Sequence, residues 1–282
     1  MSTAREPWKR LADVSYPVLS AALKDLAIPD DALVADVLGD EKYFVLKWMD
    51  ATGHRLVLDA VTEATESKDC IEYDARRKII REYCVPRGVA FFAGDDIDFY
   101  EYGGGKTAAQ HLSLFPGVSA LVAHVNDKYA GADKYTAALL NVYRTLHDKI
   151  DMHSDKDVAT TEAVGVVCAS VGMPRELVFK KKTTKHSKAS SSTADEPRVL
   201  RVTKEDGMFL AMVGPGFQDD IQHGIPRRSG GKQAEPAPWS ASFTFRRHHA
   251  KPKKRGREKS AEPRPEKRTQ CAAAQGRDHD NA

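Results

Sequence analysis

Four cysteines in 282 residues, at positions 70, 84, 168 and 271 with no C-x-x-C pair, leave nothing from which to build a disulfide framework or a structural zinc site. A reduced, intracellular protein is expected. Cys168 lies in the apolar run AVGVVCASVG and reads as buried filler rather than a nucleophile. No run of about 18 apolar residues is present to span a membrane, and the first fifteen residues, MSTAREPWKRLADVS, lack the apolar segment of a secretory signal. GGGK (103–106) is not a phosphate loop, because the G-x-x-x-x-G-K-[ST] frame and its helix are missing; a lid or turn is expected there.

Net charge is also scarce, at +3, but it is unevenly spread. Residues 246–282 carry twelve Lys/Arg against five Asp/Glu, a net of +7, which leaves residues 1–245 at −4. The basicity therefore belongs to the tail. From 251 to 268 half the residues are basic and almost none is apolar, so a tail without a core of its own is expected. Within it Lys253-Lys254-Arg255-Gly256-Arg257 suits a nuclear import signal, a phosphate-binding arm or a solvated tail.

What is present is an apolar fraction of 41%, enough for a folded body of one large or two small domains. Residues 16–40 predict two short helices broken at Ile28-Pro29, the second capped by Asp30 or Asp31. YFVLKWM (43–49) predicts a strand and RLVLDAVTEATES (55–67) an amphipathic helix, together an N-terminal layer (1–69) on the main domain. From residue 70 short apolar runs alternate with turn residues, the texture of a β-rich domain. In IDFYEY (97–102) the alternation puts Tyr100 and Tyr102 on one face, either to stack on nucleobases or to pack at a sheet edge. A helix is expected over 117–131. Strands are expected over 137–143, 163–172, 175–182, 199–203, 208–214 and 239–247, with loop insertions at 183–196 and 229–238.

The stretch that carries chemistry is LNVYRTLHDKIDMHSDKD (140–157). His153 and Asp155, one residue apart, share a face if the segment is extended and can grip one metal ion. His223 lies seventy residues downstream, far enough for several strands to intervene, and Arg246 falls on the last strand. These are the elements of a 2-His-1-carboxylate triad in a jelly-roll barrel, the setting of non-haem Fe(II) oxygenases. Three protein ligands leave three positions open, and a guanidinium fork suits a dicarboxylate co-substrate. His147, His248 and His249 have no place in this pattern and read as solvated.

Seven short motifs then stand in order: VPR (85–87), Y-x-Y-x-G (100–104), LLNVY (139–143), HSDKD (153–157), CASVGMPRELVF (168–179), H-G-I-P from His223, and SFTFR (242–246). Over roughly residues 78–247 the chain resembles the AlkB family of Fe(II)/2-oxoglutarate-dependent nucleic-acid dealkylases. The resemblance implies a β-rich α+β fold with a double-stranded β-helix (jelly-roll) core, supporting N-terminal helices and a nucleotide-recognition lid at 78–106. It implies His153, Asp155 and His223 as iron ligands, with 2-oxoglutarate and O2 as co-substrates. Asn141, Tyr143 and Arg246 would touch the 2-oxoglutarate. Tyr100 and Tyr102 would lie in the lid, with Tyr102 the better stacking candidate, and Asp157 would contact the exocyclic group of the base. Arg87 and Arg175 match arginines near substrate and core, and Ile79-Ile80 are candidates for an apolar probe that displaces the base.

One position departs from the family. A second Arg is usual six residues before the first, and here Ser240 stands there. A lost fork removes a contact worth about 1.5–3 kcal/mol, for which Arg227, Arg228 or Arg247 are candidate substitutes unless the insertion at 229–238 has shifted the register. The implied activity is oxidative dealkylation of N-alkylated bases in DNA or RNA by a monomeric enzyme, nuclear or nucleocytoplasmic, as in alkylation repair. The alternatives are an AlkB-like hydroxylase or demethylase of a protein, and a weakly active nucleic-acid-binding module.

Overall fold

The computed structural model describes residues 9–10, 33–36, 43–73, 76–78, 82–102, 105–130, 134–155, 165–182, 199–213, 216–227 and 239–248. For 9–10, 33–36, 43–48, 76–78, 82–84 and 102 only the backbone is described. The tail from 251, the insertions at 183–196 and 229–238, Ile79-Ile80, Asp157 and Arg228 lie outside the described residues.

In chain order the first elements are β1 (Lys9–Arg10), β2 (Leu33–Asp36), β3 (Tyr43–Trp48), α1 (Ala51–Glu66), β4 (Glu72–Tyr73), β5 (Arg76–Lys78), β6 (Glu82–Cys84) and β7 (Gly88–Ala93). The hairpin of β8 (Phe99–Tyr102) and β9 (Gly105–His111) follows, then α2 (Pro116–Lys128). From β10 (Ala137–Tyr143) the chain alternates between two sheets. β11 (Ile150–His153) lies in the second sheet and β12 (Val166–Gly172) in the first; β13 (Arg175–Lys181) and β14 (Val199–Lys204) return to the second. β15 (Met208–Val213) joins the first. The short α3 (Phe217–Asp220) then leads through β16 (Ile221–Ile225) in the second to β17 (Ser240–Arg246) in the first.

The first sheet has β15-β12-β17-β10 at its centre, and the second runs β11-β16-β13-β14, every pair antiparallel. Two four-stranded antiparallel sheets interleaved in this order are a jelly roll. The first sheet continues outward, through β3-β2-β1 on one side and β7-β9-β8 on the other.

Of the central strands, β10, β12 and β15 read as largely apolar runs because both of their faces are covered, whereas β17 alternates. On β17 Ala241, Phe243 and Phe245 point outward, while Ser240, Ser242, Thr244 and Arg246 point toward the second sheet. The outward set meets two helices. Val57, Ala60, Val61 and Ala64 on α1, and Val118, Leu121, Val122 and Val125 on α2, repeat at the spacing of one helical face and are buried against the sheet. A fully buried Val or Leu contributes about 1.5–3 kcal/mol, so this stripe holds the outer layer in place. Asp50 caps α1 by accepting from Gly53 N–H at 2.7 Å. α2 starts at Pro116 with no side-chain cap of its own, and Glu63 of α1 accepts its Val118 N–H at 3.0 Å.

One predicted helix is corrected. Residues 33–36 are strand β2, paired with β3 from Leu33↔Leu46 to Asp36↔Tyr43; the rest of that prediction, 16–32 and 37–40, lies outside the described residues. The local pattern is short, and a free strand edge at β3 offers backbone hydrogen bonds that outweigh a weak helical preference. β3 pairs in turn with β15, so residues 43–48 are a strand of the first sheet itself.

Candidate active site

The inner faces of the two sheets line a narrow cavity of about 50 Å3. His153 ends β11 and His223 sits on β16, directly opposite each other in the antiparallel register. Opposed residues point to the same face, and the two rings lie 4.4 Å apart between centroids. Their closeness depends on Gly224. A Cβ there would meet the Ile150 carbonyl at 2.8 Å and the Asp151–Met152 backbone at 3.1 Å, so only glycine lets β11 lie this near.

Asp155 stands past the end of β11, so the H-x-D is not one extended strand. Two contacts pin it instead: Ser154 Oγ–H donates to the Ile221 carbonyl at 2.8 Å, and Asp155 N–H donates to Gln218 Oε1 at 3.0 Å. Its carboxylate lies between the imidazoles, with Oδ1 3.6 Å from His153 Nε2 and Oδ2 3.6 Å from His223 Nε2. One donor atom from each residue falls within 4.8 Å of the other two. His153 Nδ1–H donates to the Asp151 carbonyl at 2.9 Å, which turns the Nε2 lone pair toward the cluster. Asp155 Oδ2 is buried without a hydrogen-bond partner. An N, N, O donor set with an orphaned carboxylate oxygen fits a divalent iron centre.

Arg246 crosses from the first sheet to this cluster. Its Nη2–H donates to Asp155 Oδ1 and its Nη1–H to the Tyr100 hydroxyl, both at 2.7 Å. Burial alone would raise the Asp155 carboxyl pKa. The Arg246 guanidinium above all, with the His153 hydrogen bond and the two imidazoles beside it, outweighs burial and holds Asp155 well below the usual carboxylate range. Burial first, and then the neighbouring His153, Arg246 and Lys204, press His223 down to about 3 against the opposing pull of Asp155. The imidazole is thus neutral and available as a ligand near pH 7.

The other residues expected at the site divide into three groups. Asn141 and Tyr143 face the cavity from β10. Arg87 Nε–H donates to Asn141 Oδ1 at 2.7 Å, which leaves the amide nitrogen to face a ligand. The buried Tyr143 hydroxyl has no hydrogen-bond partner of good geometry. Tyr100 lines the cavity but is only 6% exposed and is packed on Phe91, so it is a wall behind Arg246 and offers no open face for stacking on a base. Its neighbour Tyr102 is described only as backbone. Arg175 is a brace: its guanidinium donates to the Thr145 and Asp148 carbonyls and lies 5.0 Å from the centre of the Tyr143 ring.

His248 also differs from expectation. Read as solvated, it packs edge-on against Phe91 at 5.2 Å. Ser240 begins β17 in unbroken register, opposite Tyr143 and Gly172, so the insertion has not displaced it. Among the candidate substitutes, Arg227 is exposed and outside the cavity, and Arg247 does not line it. Besides Arg87 and Arg246, the cation that lines it is Lys204, a residue the motif pattern passed over. Its signal was the alternation in VLRVTK, which puts Lys204 on the same face as Leu200 and Val202.

A buried 2-His-1-carboxylate cluster between the sheets of a jelly roll defines a non-haem iron oxygenase. Residues 49–260 match the 2OG-Fe(II) oxygenase superfamily, and the chain belongs to it. It is accordingly a dioxygenase that uses Fe(II), 2-oxoglutarate and O2. Among solved structures it is similar to that of OsALKBH1, with 15% identity, coverage of 76% of this chain and 99% of that one, and a TM-score of 0.42. No curated protein matches it.

Proposed function

We propose that the chain is an AlkB-type dealkylase that hydroxylates the N-alkyl carbon of a modified base in DNA or RNA, after which the hemiaminal releases an aldehyde. The observation that supports this reading is convergence: the residues selected by the motif resemblance, from Arg87 through Asn141 and His153 to His223 and Arg246, line one cavity.

In this reading His153, Asp155 and His223 hold the metal. Fe(II) held there would supply the centre at which 2-oxoglutarate and O2 react, the 2-oxo acid being oxidatively decarboxylated to succinate and CO2. Arg246 keeps Asp155 ionised and aimed, with Tyr100 steadying the guanidinium from behind. Asn141, positioned by Arg87, and Tyr143 meet the co-substrate. Leu177 and Leu210, which line the cavity, keep water away from the reacting carbon. Tyr102, Asp157 and Arg87 are the candidates for contact with the base, and Arg228 for further contact with 2-oxoglutarate. The base must leave its stack to reach a site this enclosed. The basic tail adds phosphate affinity and a nuclear address to a slightly acidic body.

The test is succinate release by the full chain with Fe(II), 2-oxoglutarate and a panel of N-alkylated single- and double-stranded oligonucleotides, with the base masses read in parallel. Stimulation by at least one alkylated oligonucleotide, lost in His153→Ala, is expected. Stimulation by peptides alone would move the reading to a protein substrate. Tight oligonucleotide binding with no succinate at all would leave a binding module.

A further inference from the structure

A dicarboxylic co-substrate needs two anchors, one at the metal and one for its far carboxylate. Around this cavity both arginines hold protein partners, and only the buried Nε of Arg246 has none. Arg246 donates to Asp155 and Tyr100, and Arg87 to Asn141. Ser240, buried where a second guanidinium is usual in the family that the sequence resembles, carries no charge.

Lys204 is different. It closes β14 opposite Arg175 and is 5% exposed. It lines the same cavity as the triad. The hydrogen-bond partner of Nζ is Cys168 Sγ at 3.4 Å, a weak acceptor. Among the described residues no carboxylate forms an ion pair with it. An ammonium buried without a counter-ion is costly, and an anion arriving beside it offsets that cost. The cavity wall beside Cys168 supplies hydroxyls for the same anion. The β12–β17 register sets Cys168 opposite Thr244, with Ser242 two residues along on the same inner face.

We propose that Lys204, reaching in from the second sheet, receives the distal carboxylate of 2-oxoglutarate and takes over the charge that Ser240 does not supply. The inference rests on the oxygenase assignment of the same cavity. It makes Lys204 a determinant of co-substrate selectivity: the ammonium distinguishes a five-carbon dicarboxylate from 2-oxo acids that share its head but end in a methyl group. The switch from a last-strand guanidinium to an ammonium on β14 also replaces a planar two-pronged contact with a point charge, which tolerates more variation in carboxylate position.

The experiment measures binding, not turnover. The full chain, loaded anaerobically with Fe(II) or with Mn(II), is titrated with 2-oxoglutarate and with 2-oxobutyrate by calorimetry. The wild-type protein is expected to prefer 2-oxoglutarate by about 10–100-fold, the value of one charge-assisted contact. Lys204→Met should lose most of that preference while its 2-oxobutyrate affinity stays within about twofold, and Lys204→Arg should retain it. Equal loss for both acids, or unchanged 2-oxoglutarate affinity in Lys204→Met, would overturn the assignment. Should Lys204→Met not fold, a wild-type protein that binds both acids equally well would overturn it too. A wild-type protein that binds metal but neither acid would instead bring down the co-substrate site itself, Lys204 with it.

Discussion

The contact on which the site turns is the buried pair of Arg246 and Asp155, and Arg246→Met tests it. Met retains much of the stem volume but removes every donor, leaving Asp155 Oδ1 and the Tyr100 hydroxyl without the partner each has at 2.7 Å. Breaking one side of a buried pair costs about 3–5 kcal/mol, against a total stability of about 5–15 kcal/mol for a folded protein. At about 2–4 °C per kcal/mol for a body of this size, the melting temperature in the presence of a chelator should fall by about 6–20 °C.

The pH dependence fixes the cause. Asp155 is held below its ordinary value in the folded protein, so its stabilising contribution is fully present above the unfolded carboxylate pKa of about 4 and is lost as pH falls through the folded value. Without Arg246 burial dominates and raises the folded pKa, so the variant gains stability by taking up a proton. Its deficit against wild type should therefore be largest near pH 7 and narrow toward pH 4. Asp155→Asn added to Arg246→Met should recover much of the loss, because removing both charges of a buried pair is close to neutral. A melting change under about 2 °C, a deficit that does not vary with pH, or no rescue in the double variant would refute the reasoning.

Three further outcomes follow from the same geometry. His153→Ala or Asp155→Ala leaves two metal ligands, and calorimetry should show Mn(II) affinity lowered by at least about tenfold with turnover abolished. Gly224→Ala drives a methyl group into the backbone of β11, so a loss of about 1–3 kcal/mol by urea melting is expected together with weaker metal binding. Deleting residues 251–282 should reduce the salt dependence of oligonucleotide binding while leaving metal affinity unchanged; an unaltered salt slope would mean the tail makes no phosphate contact.

Much of the architecture was legible because local patterns and tertiary demands agree. The run AALLNVY is strand β10 as expected, and the helices near 55–67 and 117–131 form where their apolar spacing put them. Where local signal was short the reading failed, as at 33–36, where sheet pairing prevailed. His248 was misplaced for a related reason. A histidine next to a polar tail reads as solvated until Phe91 and Tyr100 are known to lie beside it.

The sequence by itself determined the donor set and its chain order: two imidazoles and a carboxylate of the types that bind Fe(II), on segments whose alternation fits a double sheet. Motif order is a property of the chain and survives without coordinates. Tertiary structure alone decided which atoms meet. His153 faces His223 because β11 and β16 pair in that register, and Gly224 permits the approach. Tyr100 turns inward because Arg246, 146 residues away, needs an acceptor there. Lys204 is the clearest case. Its position among apolar alternates marks it as buried, but only the closing of one sheet over the other makes that burial a place for an anion.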